Sequence, residues 1–97
     1  MAYEIIFAPE AVEDLIGLRA SVRSEVRDAI ERHLRHEPQK VTKSRIKRLR
    51  GLSRPQYRLR VGEIRVFYDV SGKEVQVLAI VEKTDAQAWL SKSGVPS

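Results

Sequence analysis

From Tyr57 to Tyr68 the chain carries three arginines and three aromatic side chains. In Tyr57-Arg58-Leu59-Arg60-Val61 the alternation puts Tyr57, Leu59 and Val61 on one face of an extended strand and both arginines on the other. Gly62-Glu63 is a two-residue link with glycine at the first central position, as a type II′ hairpin turn requires. With that turn, Val61 pairs with Ile64, Leu59 with Val66 and Tyr57 with Tyr68 on the core side. On the opposite face Arg60 pairs with Arg65, and Arg58 with Phe67. Like charges directly opposite on a sheet are destabilising. A phosphate between them resolves the conflict, because the planar guanidinium fork grips oxyanions bidentately. Phe67 beside them offers a flat face for a stacked base. A purely structural reading competes, in which both arginines splay into solvent over Phe67 as an apolar floor.

The wider charge distribution favours the anionic ligand. From Lys40 to Arg65 there are ten basic residues against one acid, Glu63, whereas the rest of the chain has eight basic and twelve acidic residues. Such segregation presents one cationic surface to a polyanion, and a solvated lysine-rich face is the competing reading. Lys43, Arg45, Lys47, Arg48, Arg50 and Arg54 are the candidate polyanion contacts before the hairpin. Cysteine is absent, which excludes disulfides and thiolate metal sites. His33 and His36 are too few for a zinc site of their own, so neither metal nor cofactor is expected. The longest apolar runs, Ile5 to Ala8 and Val77 to Val81, are far below the roughly 20 residues of a membrane span. Met1 to Glu4 shows no secretory signal. The expectation is a cytoplasmic protein with no membrane contact.

The elements that must hold these residues follow from periodicity. Tyr3 to Ala8 reads as a strand, and Pro9 opens a helix with Val12, Leu15, Ile16 and Leu18 as its buried stripe. Ser21 is the expected N-cap of a second helix, whose apolar positions Val22, Val26, Ile30 and Leu34 recur every four residues. Glu37-Pro38 ends it, and both histidines are read as surface groups of its last turn. Gln39 to Ser44 is a polar connector, and Ile46 to Leu49 a marginal strand. After the hairpin, Glu74 to Glu82 is apolar on both faces and therefore central. Thr84-Asp85 is expected to cap a short helix over Ala86 to Leu90, followed by a tail. At 97 residues, 42% hydrophobic and 32% charged, the chain reads as a single domain over 1–97. The expected fold is α+β: an N-terminal strand and helical hairpin on a twisted, mainly antiparallel sheet of four or five strands, with a short C-terminal helix.

The run Arg48-Leu49-Arg50-Gly51-Leu52, followed by Tyr57 to Gly62 and then Arg65-Val66-Phe67-Tyr68, resembles the central signature of the RelE/ParE superfamily of bacterial toxins, in its RelE-like branch. The resemblance covers nearly the whole chain. It implies a toxin of a toxin–antitoxin pair that enters the A site of the 70S ribosome and cuts mRNA without a metal, the RNA 2′-hydroxyl attacking the adjacent phosphate. Carried over by position, it implies catalytic roles for Arg58, Arg60, Arg65 and Lys83, with Arg65 stabilising the pentavalent phosphorane. Trp89 can stack on a base, and Glu82 or Glu63 can act as base, neither being singled out. The implied partners are a cognate antitoxin, the ribosome and mRNA. The antitoxin is expected to bring an acidic amphipathic segment over the Tyr57–Val70 hairpin or the Thr84–Leu90 segment. A ParE-like inhibitor of DNA gyrase and a non-catalytic RNA-binding relative are the alternatives within the resemblance.

Overall fold

The computed structural model describes residues 2–97. The hairpin forms in the expected register: β4 (Tyr57–Val61) and β5 (Ile64–Ser71) pair antiparallel with Arg60 opposite Arg65 and Arg58 opposite Phe67. Gly62 sits at φ +57°, which glycine adopts without the steric penalty other residues meet. β5 continues into β6 (Glu74–Glu82), β4 is flanked by β2 (Ile46–Arg48), and β1 (Glu4–Phe7) runs parallel to β6. The five-stranded order is β1-β6-β5-β4-β2, so β6 is internal as its apolar sequence required.

One face of the sheet is covered by α1 (Pro9–Ile16) and α2 (Ala20–Leu34). Val26, Ile30 and Leu34 of α2 join Tyr57, Leu59, Val66, Tyr68 and Val77 in the core. Tyr57 and Tyr68 stack with centroids 5.4 Å apart. The Tyr68 hydroxyl donates to the Pro38 carbonyl at 2.5 Å, and burial pushes its pKa far up. A buried hydroxyl needs such a partner. Asp14 of α1 accepts from the Ile80 N–H at 2.9 Å, beyond the end of β1.

Several local expectations are corrected. The buried residue of α1 is Ala11, while Val12 and Ile16 face solvent, Ile16 being 66% exposed. Ala11 is fully buried, its small side chain suiting the close packing of α1 against the sheet. Ser21 lies inside α2, whose N-cap is Arg19; Arg23 instead ties the two helices by donating to the Ile16 and Leu18 carbonyls. His36 lies past the C-cap, Arg35. The last helix, α3 (Lys83–Ser93), starts earlier and ends later than expected, with Glu82 as N-cap. The expected tail is a strand, β7 (Val95–Pro96), paired with β3 (Leu52–Arg54). No period-2 pattern marks two-residue strands, so only the tertiary pairing reveals them.

Candidate nucleic-acid interface

The sheet face opposite α1 and α2 positions the basic residues. Cross-strand pairing sets Lys47, Arg58 and Phe67 in one row across β2, β4 and β5, with Arg60 and Arg65 in a row beside it. α3 covers the Phe67 end of this face, where Trp89 stacks on Phe67 at 5.0 Å and 6° between planes. The arginine end stays open as a groove of about 680 Å³. Lys43, Lys47, Arg48, Arg50, Arg58, Arg60, Arg65 and Lys83 line it, and no carboxylate does. The loop carrying Lys43 is shaped by Thr42, whose hydroxyl accepts the N–H groups of Arg45 and Ile46. This side chain-to-backbone turn motif was the signal available for a segment read only as a polar connector.

The two central arginines are held differently. Arg65 is 8% exposed and donates to the Gly62 and Ile64 carbonyls at 2.9 and 3.1 Å. Its charge is thereby drawn toward the turn, which relieves the Arg60–Arg65 opposition. Arg58 has no such relief: its Nε is buried without a hydrogen-bond partner. Burial, then Arg65 and Arg60, hold its pKa below the ordinary value for arginine. An orphaned donor on a crowded cation is the group that gains most from an arriving oxyanion. Arg60 is exposed, and Arg48 lies over the Tyr57 ring at 5.0 Å. Among the described residues no cluster of three or more His, Asp or Glu side chains is placed to hold a metal.

The family model described as the ParE toxin of the type II toxin–antitoxin system, parDE, matches residues 5–86. The chain belongs to the ParE toxin family. It is thus a RelE/ParE superfamily toxin. Its fold is shared with solved toxins. A RelBE toxin–antitoxin complex from Mycobacterium tuberculosis matches with a TM-score of 0.68 and 24% identity, over 84% of this chain and 99% of that one. The RelE–RelB complex from Pyrococcus horikoshii OT3 gives 0.63 and 27%, over 86% and 97%. An E. coli RelE mutant in the free state gives 0.57 and 19%, over 92% of each chain. No curated protein matches by sequence.

In this toxin the groove gathers most of the residues picked out by the sequence, and leaves four elsewhere. Arg45 lines a smaller hollow with Arg60 and Gly62. Arg54 pairs with Asp69 at 3.4 Å, and Asp69 also accepts the Gln56 N–H at 2.7 Å. That ion pair gives a buried carboxylate its partner and takes Arg54 out of the basic cluster. Phe67 is 1% exposed beneath Trp89, so it offers no face to a base. The Trp89 indole N–H donates to Glu10 at 2.7 Å, which docks α3 on α1, and the ring lines a separate hollow with Glu10 and Pro55. Glu63 and Glu82, the two candidate bases, line a different hollow, on the far side of the β4–β5 turn.

Proposed function

We propose that this toxin is a ribosome-dependent, metal-independent mRNA endoribonuclease acting in the cytoplasm and held in check by a cognate antitoxin. The observation that carries the reading is the single groove with eight basic side chains and no carboxylate. Such a surface suits a phosphodiester backbone, whose negative charges repeat every few ångströms. In the reaction the RNA 2′-oxygen forms a bond to the adjacent phosphorus as the bond to the 5′-oxygen breaks. The 2′-hydroxyl loses its proton, the leaving oxygen gains one, and the products are a 2′,3′-cyclic phosphate and a 5′-hydroxyl. Extra negative charge gathers on the phosphoryl oxygens in the transition state. We assign the meeting of that charge to Arg58 and Arg60, because preorganised cations in a fixed site stabilise such charge strongly. The groove holds no carboxylate base, so its contribution is binding, in-line orientation and charge stabilisation.

A specific observation favours a second reading. The matching family model is that of ParE toxins, which supports gyrase inhibition without RNA cleavage. The two separate in one experiment. Purified toxin is added to a reconstituted translation reaction and, in parallel, to a gyrase supercoiling assay. Loss of full-length mRNA with supercoiling intact supports the nuclease; blocked supercoiling with intact mRNA supports the gyrase reading.

A further inference from the structure

On the other side of the β4–β5 turn lies a second concave site of opposite charge, about 440 Å³ in volume. Its apolar lining is Leu18 and Val22, from the α1–α2 junction and α2, with Val61 and Ile64, the pair that closes the hairpin turn. Its rim is Glu25, Glu63 and Glu82, against a single cation, Arg19. The three carboxylates stand exposed, and among the described residues none is in an ion pair. On a chain of net charge +5, three acids thus gather around one hollow with Arg19 as the one cation in its lining.

The two sites meet at the turn. Glu63 points to the acidic hollow while its carbonyl accepts the Lys83 N–H at 2.7 Å, and Lys83 lines the cationic groove. Arg60 lines a hollow shared with Gly62, and Gly62 also borders the acidic site. A partner crossing the turn therefore meets an apolar, acidic seat first and a cationic groove next.

We infer that the hollow formed by Leu18, Val22, Val61 and Ile64 under the Glu25, Glu63 and Glu82 rim is a docking seat for a basic, apolar segment of the antitoxin. This rests on the antitoxin partnership of the proposed function. It predicts a partner of divided charge: an apolar segment with lysines or arginines for this seat, joined to a segment that faces the groove. Charge complementarity at the rim sets register and speeds encounter, and the apolar lining supplies the affinity. Docking here places the partner at the lip of the groove without occupying it.

The test uses the folded toxin, the full-length antitoxin and overlapping fifteen-residue peptides covering the antitoxin. A toxin carrying Glu25→Lys, Glu63→Lys and Glu82→Lys is compared with wild type, with circular dichroism and thermal melting to show that both fold. The expected result is a peptide of net positive charge with at least two large apolar residues that binds wild type. It should bind the triple variant at least tenfold more weakly, while acidic peptides bind the two proteins equally. Equal binding of the basic peptide to both, or no basic peptide that binds, overturns the seat. A full-length antitoxin that binds neither protein overturns the partnership itself, and the seat with it. A toxin that self-associates through this face, its dimer lost in the triple variant, assigns the seat to a second copy and overturns the inference. Should the triple variant fail to fold, the single Glu63→Lys change at the exposed turn carries the same comparison.

Discussion

Arg58 and Arg65 share one face of the sheet, yet truncation should affect them in opposite ways. Arg58→Ala removes a buried, unpartnered Nε and a crowded charge, so the fold should melt at the same temperature or higher while affinity for single-stranded RNA falls about tenfold. Calorimetry and fluorescence anisotropy on the same samples check both halves. Arg65→Ala instead removes two hydrogen bonds to the turn, and should cost about 1–3 kcal/mol of stability. Denaturant titration of that variant, showing no loss of stability, would sink the structural role assigned to Arg65. Asp14 gives a pH prediction. Burial raises its pKa above the ordinary 3.8 despite the Ile80 N–H, so the folded state binds the proton more readily than the unfolded one. Stability from this group is therefore greatest at low pH and falls as pH rises through the folded pKa. Asp14→Asn keeps an acceptor for Ile80 and carries no charge. It should be more stable than wild type near pH 7, with the gap closing toward about pH 3.

At the scale of elements, α3 is the weakly held part. It has no buried residue, and its stack on Phe67 and bond to Glu10 both come from Trp89. Trp89→Ala should loosen α3 by about 1–3 kcal/mol while the sheet stays protected. Hydrogen exchange should then quicken in α3 amides and leave β5 amides slow. Gly94 closes the same end: a Cβ there would lie 2.5 Å from the Leu90 carbonyl oxygen. Gly94→Ala should therefore peel β7 from β3 and speed exchange at Ser97, whose N–H donates to the Gly51 carbonyl. The hairpin was legible in the sequence to the level of each cross-strand pair, because alternation and Gly62 fix the register locally. The α2 stripe was legible for the same reason. The β3–β7 pair, the Trp89–Glu10 bond and the Arg54–Asp69 ion pair join residues far apart in the chain, and no local pattern encodes them. The burial of Phe67 belongs with these: alternation gave its face correctly, but what covers that face is set by a helix sixteen residues away.

For the whole molecule, the charge segregation seen along the chain becomes a segregation in space. Eight cations face one groove, while three carboxylates rim the hollow across the turn. If four to six of those cations each neutralise a phosphate, log affinity for single-stranded RNA should fall with log salt at a slope of roughly −3 to −4. Titration of a short labelled RNA at several salt concentrations measures it, and a slope near zero would place the RNA elsewhere. No helix among the described residues is long and apolar enough to cross a membrane. On the proposed function, the cationic groove engages mRNA on the ribosome and promotes its cleavage. The most direct test is primer extension on a defined mRNA, with and without programmed ribosomes, comparing wild type with the Arg58→Ala/Arg60→Ala protein. New 5′ ends are expected within the ribosome-occupied codon for wild type only, and none when ribosomes are left out. Cleavage undiminished in the double variant, or no cleavage by a wild-type protein that still arrests growth, would contradict that function.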